Sequence, residues 1–174
     1  GDKIFPFVPA KDYKKVGNGD KGPNTGGMGS AAPSPEFKDE HFQDFVNNIM
    51  NPTVQGLKTE GLSFKGFIFF GLMVTKNGTY LLEYNMRLGD PETQVLLPLL
   101  ENNLVDVIED CLQGKELELK FKDQKAVCLV VCSGGYPQNH ETGYEITGAE
   151  KVKNSTLLYA GADYRGGKVV STGG

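Results

Sequence analysis

Two apolar runs separated by an Asn-Gly pair constrain the fold of this chain more than any other feature. "GFIFFGLMVT" precedes Asn77-Gly78, and "TYLLEYNMR" follows it. An Asn-Gly pair between two such runs is the strongest short-range signal for a β-hairpin, and it favours a type I′ turn. We therefore predict that residues 67–75 and 79–87 form two antiparallel strands joined by a tight turn.

Helical patterns precede and follow this hairpin. Apolar residues recur every three or four positions in residues 42–49 and again in residues 100–111, which is the spacing of an amphipathic helix. Towards the C-terminal end the sequence changes to short apolar runs between glycine turns, which we predict to be strands: "AVCLVVCS", "STLLYAGA" and "KVVST". We predict an α+β fold in which an antiparallel sheet packs with helices, followed by a small β-rich unit. The predicted domains are 1–115 and 116–174.

The composition and charge argue against several classes of function. The chain has 174 residues with a formal net charge of −4, whereas broad nucleic-acid binding needs a basic face. No apolar run approaches the roughly 18–20 residues of a membrane span. The two histidines and three cysteines lack zinc-ligand spacing, and free core thiols suit a reducing compartment. We expect a cytoplasmic protein without nucleic-acid or membrane partners.

The second strand of the predicted hairpin carries polar side chains two residues apart. Regular alternation puts successive side chains of one face about 7 Å apart. One face then carries Leu81, Glu83, Asn85 and Arg87, and the other, which we predict to face the core, carries Tyr80, Leu82, Tyr84, Met86 and Leu88.

These polar groups suit a site for a metal and a phosphate. Carboxylate and amide oxygens are the ligands that Mg²⁺ or Mn²⁺ takes, and an arginine can bind a phosphate that the metal also contacts. The predicted neighbours of Glu83 on the facing strand are apolar, namely Ile68, Phe70, Leu72 and Val74, and a carboxylate among them needs a compensating charge. The alternative is a solvent-exposed sheet face with chance polar residues, and the residues alone leave both interpretations open.

A long glycine-rich segment, Asp12 to Pro35, is predicted to form one loop and is the second candidate site. Its "GNGDKG" matches G-x-G-x-x-G, but a dinucleotide fingerprint needs a strand before it and a helix after it; "GPNTGGMG" follows instead. The glycines let the backbone approach a ligand closely and direct N–H groups at it. Asp20, Asn24 and Thr25 could bind hydroxyl or amino groups. A flexible surface linker is the alternative.

Three stretches together resemble one enzyme family. They are "DYKKVGNGDKGPNTGGMGSAAPSP", "GLMVTKNGTYLLEYNMRLGDPETQVLLPLL" and "GYPQNHETGYEITG". With its E-x-N-x-R-x-G-D-P-E pattern, the chain resembles the phosphoribosylamine–glycine ligases, also called glycinamide ribonucleotide synthetases, which belong to the ATP-grasp superfamily. The resemblance covers essentially the whole chain.

The resemblance implies an activity. Such a ligase joins glycine to 5-phosphoribosylamine with ATP and Mg²⁺ or Mn²⁺, through a glycyl-phosphate intermediate, and gives glycinamide ribonucleotide, ADP and phosphate in purine biosynthesis. The chain resembles the second half of the ATP-grasp domain and the start of the C-terminal domain. Because the family's chain is much longer, we expect this segment alone to be inactive. We also expect the protein to be a monomer or weak homodimer.

The resemblance also implies roles for individual residues. Glu83 and Asn85 match the family's metal ligands, Arg87 matches an arginine near the transferred phosphoryl group, and Asp90 matches the region that lines the amine and glycine pocket. The residues of the glycine-rich segment that match this pocket are Asp20, Asn24, Thr25, Gly26, Gly27 and Met28.

Two alternative functions stay open. The chain could belong to another ATP-grasp carboxylate–amine ligase or carboxylase, which shares the metal site and differs in the acid it activates. It could also be a non-catalytic module that serves assembly. ADP release that depends on glycine would distinguish a phosphoribosylamine–glycine ligase from the first alternative. A lack of metal binding would favour the second.

Overall fold

Antiparallel pairing accounts for every named sheet in residues 3–174, the part of the chain that this computed structural model describes. One sheet has three strands in the order β1-β4-β7, and three hairpins have two strands each, β2-β3, β5-β6 and β8-β9. The strands are β1 (Lys11–Asp12), β2 (Lys15–Gly17), β3 (Lys21–Asn24), β4 (Gly29–Ala32), β5 (Phe69–Thr75), β6 (Gly78–Asn85), β7 (Ala126–Leu129), β8 (Ala162–Arg165) and β9 (Lys168–Ser171).

Four short α-helices accompany these strands, and together they confirm the predicted α+β class. The helices are α1 (Asp39–Phe45), α2 (Asn51–Thr59), α3 (Thr93–Leu96) and α4 (Leu104–Gln113). A π-helical turn, Val46–Met50, joins α1 to α2. It lies directly before Pro52, which has no N–H to donate to the carbonyl of the preceding turn.

Local sequence sets the ends of α4. The Asn103 side chain accepts a hydrogen bond from the Val105 N–H at 2.9 Å, which satisfies one of the free donors of the first turn. Gly114 ends the helix with a φ of 75°, a left-handed conformation that glycine adopts without strain. Within residues 3–174, no helix has the length and apolar character that crossing a bilayer requires.

The described chain divides into two compact units. The first comprises the chain up to Tyr13 together with Gly29–Leu129, and the second comprises Lys14–Met28 together with Val130–Gly174. The glycine-rich segment therefore contributes to both units. The predicted division into 1–115 and 116–174 stays a prediction.

The core of the first unit lies between α3 and the three-stranded sheet. Val95 is fully buried and packs with Ala32 of β4, Leu96 and Leu99. Apolar burial of this kind stabilises the fold by roughly 25 cal/mol per Å² removed from water. Partly buried residues complete the cluster: Phe7, Val8, Ala10, Phe121, Ala126 and Cys128.

The second unit is built on β2-β3, β8-β9 and the turns between them.

The strands predicted in the C-terminal part are confirmed only in part. "AVCLVVCS" is confirmed in part as β7, and "KVVST" is confirmed as β9. "STLLYAGA" forms no strand before Ala162, where β8 begins. The β-content of this part is therefore lower than its apolar runs predict.

Candidate functional site

The β5–β6 hairpin carries two of the residues predicted to bind a metal. Thr75 pairs with Gly78, so Lys76 and Asn77 are the two central residues of the turn. Of these residues only Gly78 has a positive φ, 130°. A type I′ turn needs positive φ at both central residues. The hairpin is therefore confirmed, and the predicted turn type is wrong.

An extra residue in β6 changes which side chains share a face. Leu72 pairs with Leu81 and Gly71 pairs with Glu83, so Leu82 is the additional residue of a β-bulge. Paired residues share a face, whereas neighbouring residues of β5 lie on opposite faces. Leu81 and Glu83 therefore lie on opposite faces, and the prediction that they share one is wrong.

The face that carries Leu81 packs on the helices. It also carries Tyr84, which pairs with Phe70. The Phe70 ring stands 5.1 Å from the Phe45 ring of α1 and 5.4 Å from the Tyr84 ring, both edge-on. The Tyr84 hydroxyl lies 2.7 Å from the hydroxyl of Thr53 on α2. Aromatic contacts and one hydroxyl pair thus fix this face of the hairpin.

A carboxylate on α1 also binds the backbone of β6. The Thr79 N–H donates to Asp44 Oδ2 at 2.6 Å, and the Asn48 side-chain amide donates to Oδ1 at 2.6 Å. These bonds hold the pKa of the Asp44 carboxyl below its ordinary value. Their contribution to stability is therefore present above the carboxyl's unfolded pKa and is lost as the pH falls through the lowered one.

The predicted core face of β6 is wrong for most of its members. Tyr80 is 52% exposed, Leu82 62% and Met86 55%, while Leu88 is half-buried. Of the predicted set, only Tyr84 packs on the helices. For Tyr80 the bulge is the reason, because it turns Tyr80 to the side opposite Tyr84 although both positions are even-numbered. Met86 and Leu88 lie beyond the end of β6 at Asn85.

Glu83 and Asn85 lie on the face away from the helices and contact each other. Asn85 Nδ2 donates to Glu83 Oε1 at 3.0 Å. Their partners on β5 are Gly71 and Phe69. The predicted neighbours of Glu83, Phe70 and Leu72 among them, are on the opposite face, so the argument from a carboxylate among apolar residues is wrong. The pair itself is present, with both side chains on one face.

This pair has the oxygen chemistry of a divalent-cation site. Across residues 3–174, Glu83 Oε2 and Asn85 Oδ1 have no hydrogen-bond partner. Both are hard oxygens of the kind that Mg²⁺ and Mn²⁺ take. No cluster of three or more histidine, cysteine, aspartate or glutamate residues in the described chain could hold a metal. The chain thus offers two oxygen ligands here.

Gly71 leaves room for the Glu83 side chain. A Cβ added at Gly71 would lie 2.9 Å from Glu83 Cγ and 3.5 Å from the Glu83 carbonyl oxygen. A side chain at position 71 would therefore displace the Glu83 side chain at Cγ. The φ of Gly71 is not in the left-handed region, so the requirement for glycine is steric.

Arg87 lies beyond the end of β6. The strand ends at Asn85, two residues before its predicted end, and Arg87 is in the bend that follows. Its Nη1 donates to the Leu88 carbonyl oxygen at 2.9 Å, and across the described residues it makes no ion pair with Glu83. The guanidinium is exposed, and its assignment to a phosphate stays a prediction.

Hydrogen bonds hold the Gly-Asp-Pro turn, residues 89–91, which follows β6. The Ser30 hydroxyl donates to the Pro91 carbonyl oxygen at 2.7 Å and is itself buried. The Thr93 N–H donates to the Gly89 carbonyl oxygen at 3.0 Å, and the Thr93 hydroxyl donates to the same oxygen. This turn is fixed at both ends.

Asp90 projects from this turn as an exposed carboxylate. α3 begins at Thr93 with Glu92 at the N-cap, so Asp90 is not a helix cap. Its Oδ1 accepts a hydrogen bond from Gln94 Nε2 at 2.7 Å. Burial, and to a smaller extent the charge of Asp90, raises the pKa of the Cys128 thiol on β7.

Glu92 is a buried carboxylate that the sequence reasoning did not include among the site residues. It is 4% exposed. A Cβ added at Gly89 would lie 2.9 Å from Glu92 Cδ and 2.8 Å from Phe69 Cε2. The carboxylate therefore fills the space beside Gly89. The sequence signal for Glu92 was its place as the last residue of the G-D-P-E pattern. A carboxylate in the first turn of a helix explained that position equally well.

The glycine-rich segment is more ordered than a loop. The β2–β3 hairpin and β4 fall within it, and β1 ends at its first residue, Asp12, so the prediction of one long loop is wrong. Gly17 pairs with Lys21, and the "GNGDKG" match forms a hairpin rather than a strand-to-helix turn. Asp20 lies at the exposed tip of that hairpin with a φ of 59°.

The backbone donors of this segment already have partners in the second unit. The Thr25 N–H donates to the Lys14 carbonyl oxygen at 2.8 Å, and the Gly27 N–H donates to Thr25 Oγ1 at 3.0 Å. The Gly26 N–H donates to the Tyr136 hydroxyl at 3.1 Å. The expectation that these amides point at a ligand is therefore wrong for this conformation, and the bonds instead give the segment a fixed shape.

The structure thus brings the predicted site residues together in two groups. Glu83 and Asn85 form a hydrogen-bonded pair in the first unit, where Arg87 and Asp90 follow along the chain. The residues predicted to bind substrate are in the second unit: Asp20, Asn24, Thr25, Gly26, Gly27 and Met28. Their functional roles stay predictions.

Comparison with family models gives two matches along the chain. The model for "Phosphoribosylglycinamide synthetase, ATP-grasp (A) domain" matches residues 1–93. The model for "Phosphoribosylglycinamide synthetase, C domain" matches residues 126–174. The first match covers more than half of the chain and includes Glu83, Asn85, Arg87 and Asp90.

Known proteins and solved structures agree with these matches. A phosphoribosylamine–glycine ligase of Caldanaerobacter subterraneus subsp. tengcongensis is 45% identical over all of this chain, which spans 42% of that relative. The trifunctional purine biosynthetic protein adenosine-3 of Gallus gallus is 40% identical, with 18% of its length covered. A crystal structure of phosphoribosylamine–glycine ligase from Thermotoga maritima superposes with a TM-score of 0.80 and 36% identity, over 95% of this chain and 41% of that one.

Proposed function

We propose, from the premise that this chain belongs to the phosphoribosylglycinamide synthetase family, that it forms the metal- and substrate-binding part of an ATP-dependent ligase. The ligase joins glycine to 5-phosphoribosylamine and gives glycinamide ribonucleotide, ADP and phosphate in purine biosynthesis. The observation that carries this proposal is the Glu83–Asn85 pair, on the hairpin face opposite the one that carries Phe70 and Tyr84. The chain spans 42% of the ligase from Caldanaerobacter, so the activity is proposed for the complete polypeptide.

Mg²⁺ or Mn²⁺ fits the donor set that Glu83 and Asn85 present. Both cations take carboxylate and amide oxygens. Because the pair supplies two oxygens, phosphate oxygens of ATP and water are expected to complete the coordination. Bound there, the cation supplies charge neutralisation for phosphoryl transfer.

The proposed reaction proceeds in two displacements. A carboxylate oxygen of glycine attacks the γ-phosphorus of ATP, the bond from phosphorus to the β,γ-bridging oxygen breaks, and ADP leaves. The amine nitrogen of 5-phosphoribosylamine then attacks the carbonyl carbon of glycyl phosphate, phosphate leaves, and the nitrogen loses a proton. Most of the catalysis of such steps is positioning and charge neutralisation.

Individual side chains are assigned to these tasks by their chemistry. Arg87, exposed beyond the end of β6, is assigned to the transferred phosphoryl group, because a guanidinium binds phosphate oxygens through paired N–H groups. Asp90 is assigned to an amino group of a substrate. The second-unit segment is assigned to glycine and the sugar amine through Asp20, Asn24, Thr25, Gly26, Gly27 and Met28.

The proposal also covers the domain organisation, the partners, the location and the oligomeric state of the protein. Residues 1–115 are assigned to the second half of an ATP-grasp domain and 116–174 to the start of the C-terminal domain, and the two family matches fall inside these ranges. The proposed partners are small molecules, with no nucleic acid or membrane, in the cytoplasm, and the proposed state is a monomer or weak homodimer.

ADP release tests the proposed reaction. The complete polypeptide that contains this segment is expected to form glycinamide ribonucleotide and ADP from ATP, glycine and 5-phosphoribosylamine. The purified 174-residue chain is expected to form neither, because it spans under half of its relatives' length. ADP release with bicarbonate or another small acid but not with glycine would instead identify a different ATP-grasp reaction, and activity of the isolated chain would contradict the assignment to one part of the enzyme.

Replacing Gly71 by alanine tests the geometry of the pair. The added methyl group meets Glu83 Cγ at 2.9 Å, and we expect the KM for Mg-ATP to rise about 10-fold, since small misplacements of a ligand weaken a preorganised site. Gly56→Ala is the matched control, because a Cβ at that helical glycine has nothing within 4 Å. An unchanged KM for Mg-ATP in Gly71→Ala would contradict the placement of Glu83.

A further inference from the structure

A phenol from the C-terminal part of the chain binds the glycine-rich segment. Tyr136 and Gly26 belong to the same compact unit, although 110 positions separate them in sequence. The Gly26 N–H donates to the Tyr136 hydroxyl at 3.1 Å, and a Cβ added at Gly26 would lie 3.3 Å from the same hydroxyl. The phenol therefore contacts the backbone of the segment directly.

The backbone around Tyr136 holds its ring in place. The Tyr136 N–H donates to the Ser133 carbonyl oxygen at 3.2 Å, and the Ser133 N–H donates to the Gly174 carbonyl oxygen at 2.7 Å. A Cβ added at Gly174 would lie 2.9 Å from Tyr136 Cε2. The His140 ring stands 5.8 Å from the Tyr136 ring, measured between centroids. With the ring fixed from several directions, the hydroxyl has a defined position.

Hydrogen bonds to other residues hold Thr25 and Met28, on either side of Gly26. Thr25 is bound to the Lys14 carbonyl oxygen through its N–H at 2.8 Å and its hydroxyl at 2.9 Å. The Met28 carbonyl oxygen accepts from the Val130 N–H at 3.1 Å. Between these two attachments the Tyr136 hydroxyl accepts from the Gly26 N–H, and the Lys14 ammonium donates to the Gly26 carbonyl oxygen at 3.5 Å.

We infer that Tyr136 is a positioning residue for the glycine-rich segment, and that through it the C-terminal part of the chain sets the affinity for glycine or the sugar amine. This inference rests on the proposed function of the segment. The bond fixes the peptide unit between Thr25 and Gly26, and with it the direction of the groups on either side. Tyr136 contacts neither reacting atoms nor substrate in this role.

Tyr136→Phe tests the inference in the complete polypeptide. The substitution keeps the ring and removes only the acceptor for the Gly26 N–H. We expect the KM for glycine or for 5-phosphoribosylamine to rise about 3- to 10-fold, the range for loss of one hydrogen bond, while kcat and the KM for ATP stay within about twofold of their original values. Unchanged KM values for all three substrates would overturn the inference.

Amide hydrogen exchange gives a readout that does not depend on activity. In the complete polypeptide, Tyr136→Phe is expected to speed exchange of the Gly26 N–H about 10-fold, because the amide loses its acceptor. Tyr144→Phe is the matched control: its exposed hydroxyl is bonded to Glu141 and not to the segment. Equal exchange at Gly26 in both variants would refute the positioning role, whereas an inactive complete polypeptide with faster Gly26 exchange would refute only the proposed function.

Discussion

Replacing Glu83 by alanine in the complete polypeptide is expected to lower kcat by ~10²-fold or more, the scale for removing one charge-stabilising group from a catalytic site. Glu83 supplies one of the two oxygens proposed for the divalent cation, and Asn85 alone is a weak ligand. The loss should appear both in turnover at saturating Mg-ATP and in Mn²⁺ binding followed by electron paramagnetic resonance.

A matched control makes this result specific to the metal role. Glu118→Ala removes another exposed carboxylate of the first unit, whose ion pair with Lys120 spans 3.6 Å, and the kcat of this variant should stay unchanged because surface pairs contribute little. Turnover of Glu83→Ala within a few-fold of the original at saturating magnesium, with Mn²⁺ still bound, would refute the assignment of Glu83 as a ligand.

Gly89→Ala is expected to lower the free energy of unfolding by about 1–3 kcal/mol, the usual range for overpacking a filled interior. The new methyl group would meet Phe69 Cε2 at 2.8 Å and Glu92 Cδ at 2.9 Å, and Glu92 is buried. Urea unfolding of the 174-residue chain measures this change. In the complete polypeptide the same variant should lose turnover, because Asp90 is the next residue.

A matched control and a double variant test the cause. Gly56→Ala in α2 should be neutral or slightly stabilising, since glycine in a helix is less favourable than alanine. Adding Glu92→Asp to Gly89→Ala shortens the buried side chain, so the double variant should lose less stability than the sum of the two single variants. Additive losses, or an unchanged urea midpoint for Gly89→Ala, would show that the two side chains do not compete for space.

Local signals in the sequence predicted much of the fold correctly. The Asn-Gly pair located the β5–β6 hairpin, because few other sequences reverse a chain so tightly. The helical spacing of apolar residues in 100–111 located α4 (Leu104–Gln113). The spacing of Glu83 and Asn85 was enough to predict one shared face, since no irregularity falls between them.

The errors have a common physical origin, which is pairing that sequence spacing does not reveal. The bulge at Leu82 depends on how β6 pairs with β5, and it moved the helix-packed face from Tyr80 to Leu81. In the same way, the amides of Thr25 and Gly26 looked available for a ligand until their acceptors, the Lys14 carbonyl and the Tyr136 hydroxyl, were located. Glu92 was missed because its burial depends on Phe69 and Gly89.

The bulge also has a consequence for the lengths that this hairpin tolerates. Leu82 has no partner in the ladder, so a deletion of that one residue would leave Leu81 opposite Leu72 and Glu83 opposite Gly71. A deletion of Tyr84 would instead make Glu83 and Asn85 adjacent and send their side chains in opposite directions. Evolution or protein engineering can therefore shorten this arm by one residue at Leu82 without moving the Glu83 and Asn85 side chains to opposite faces.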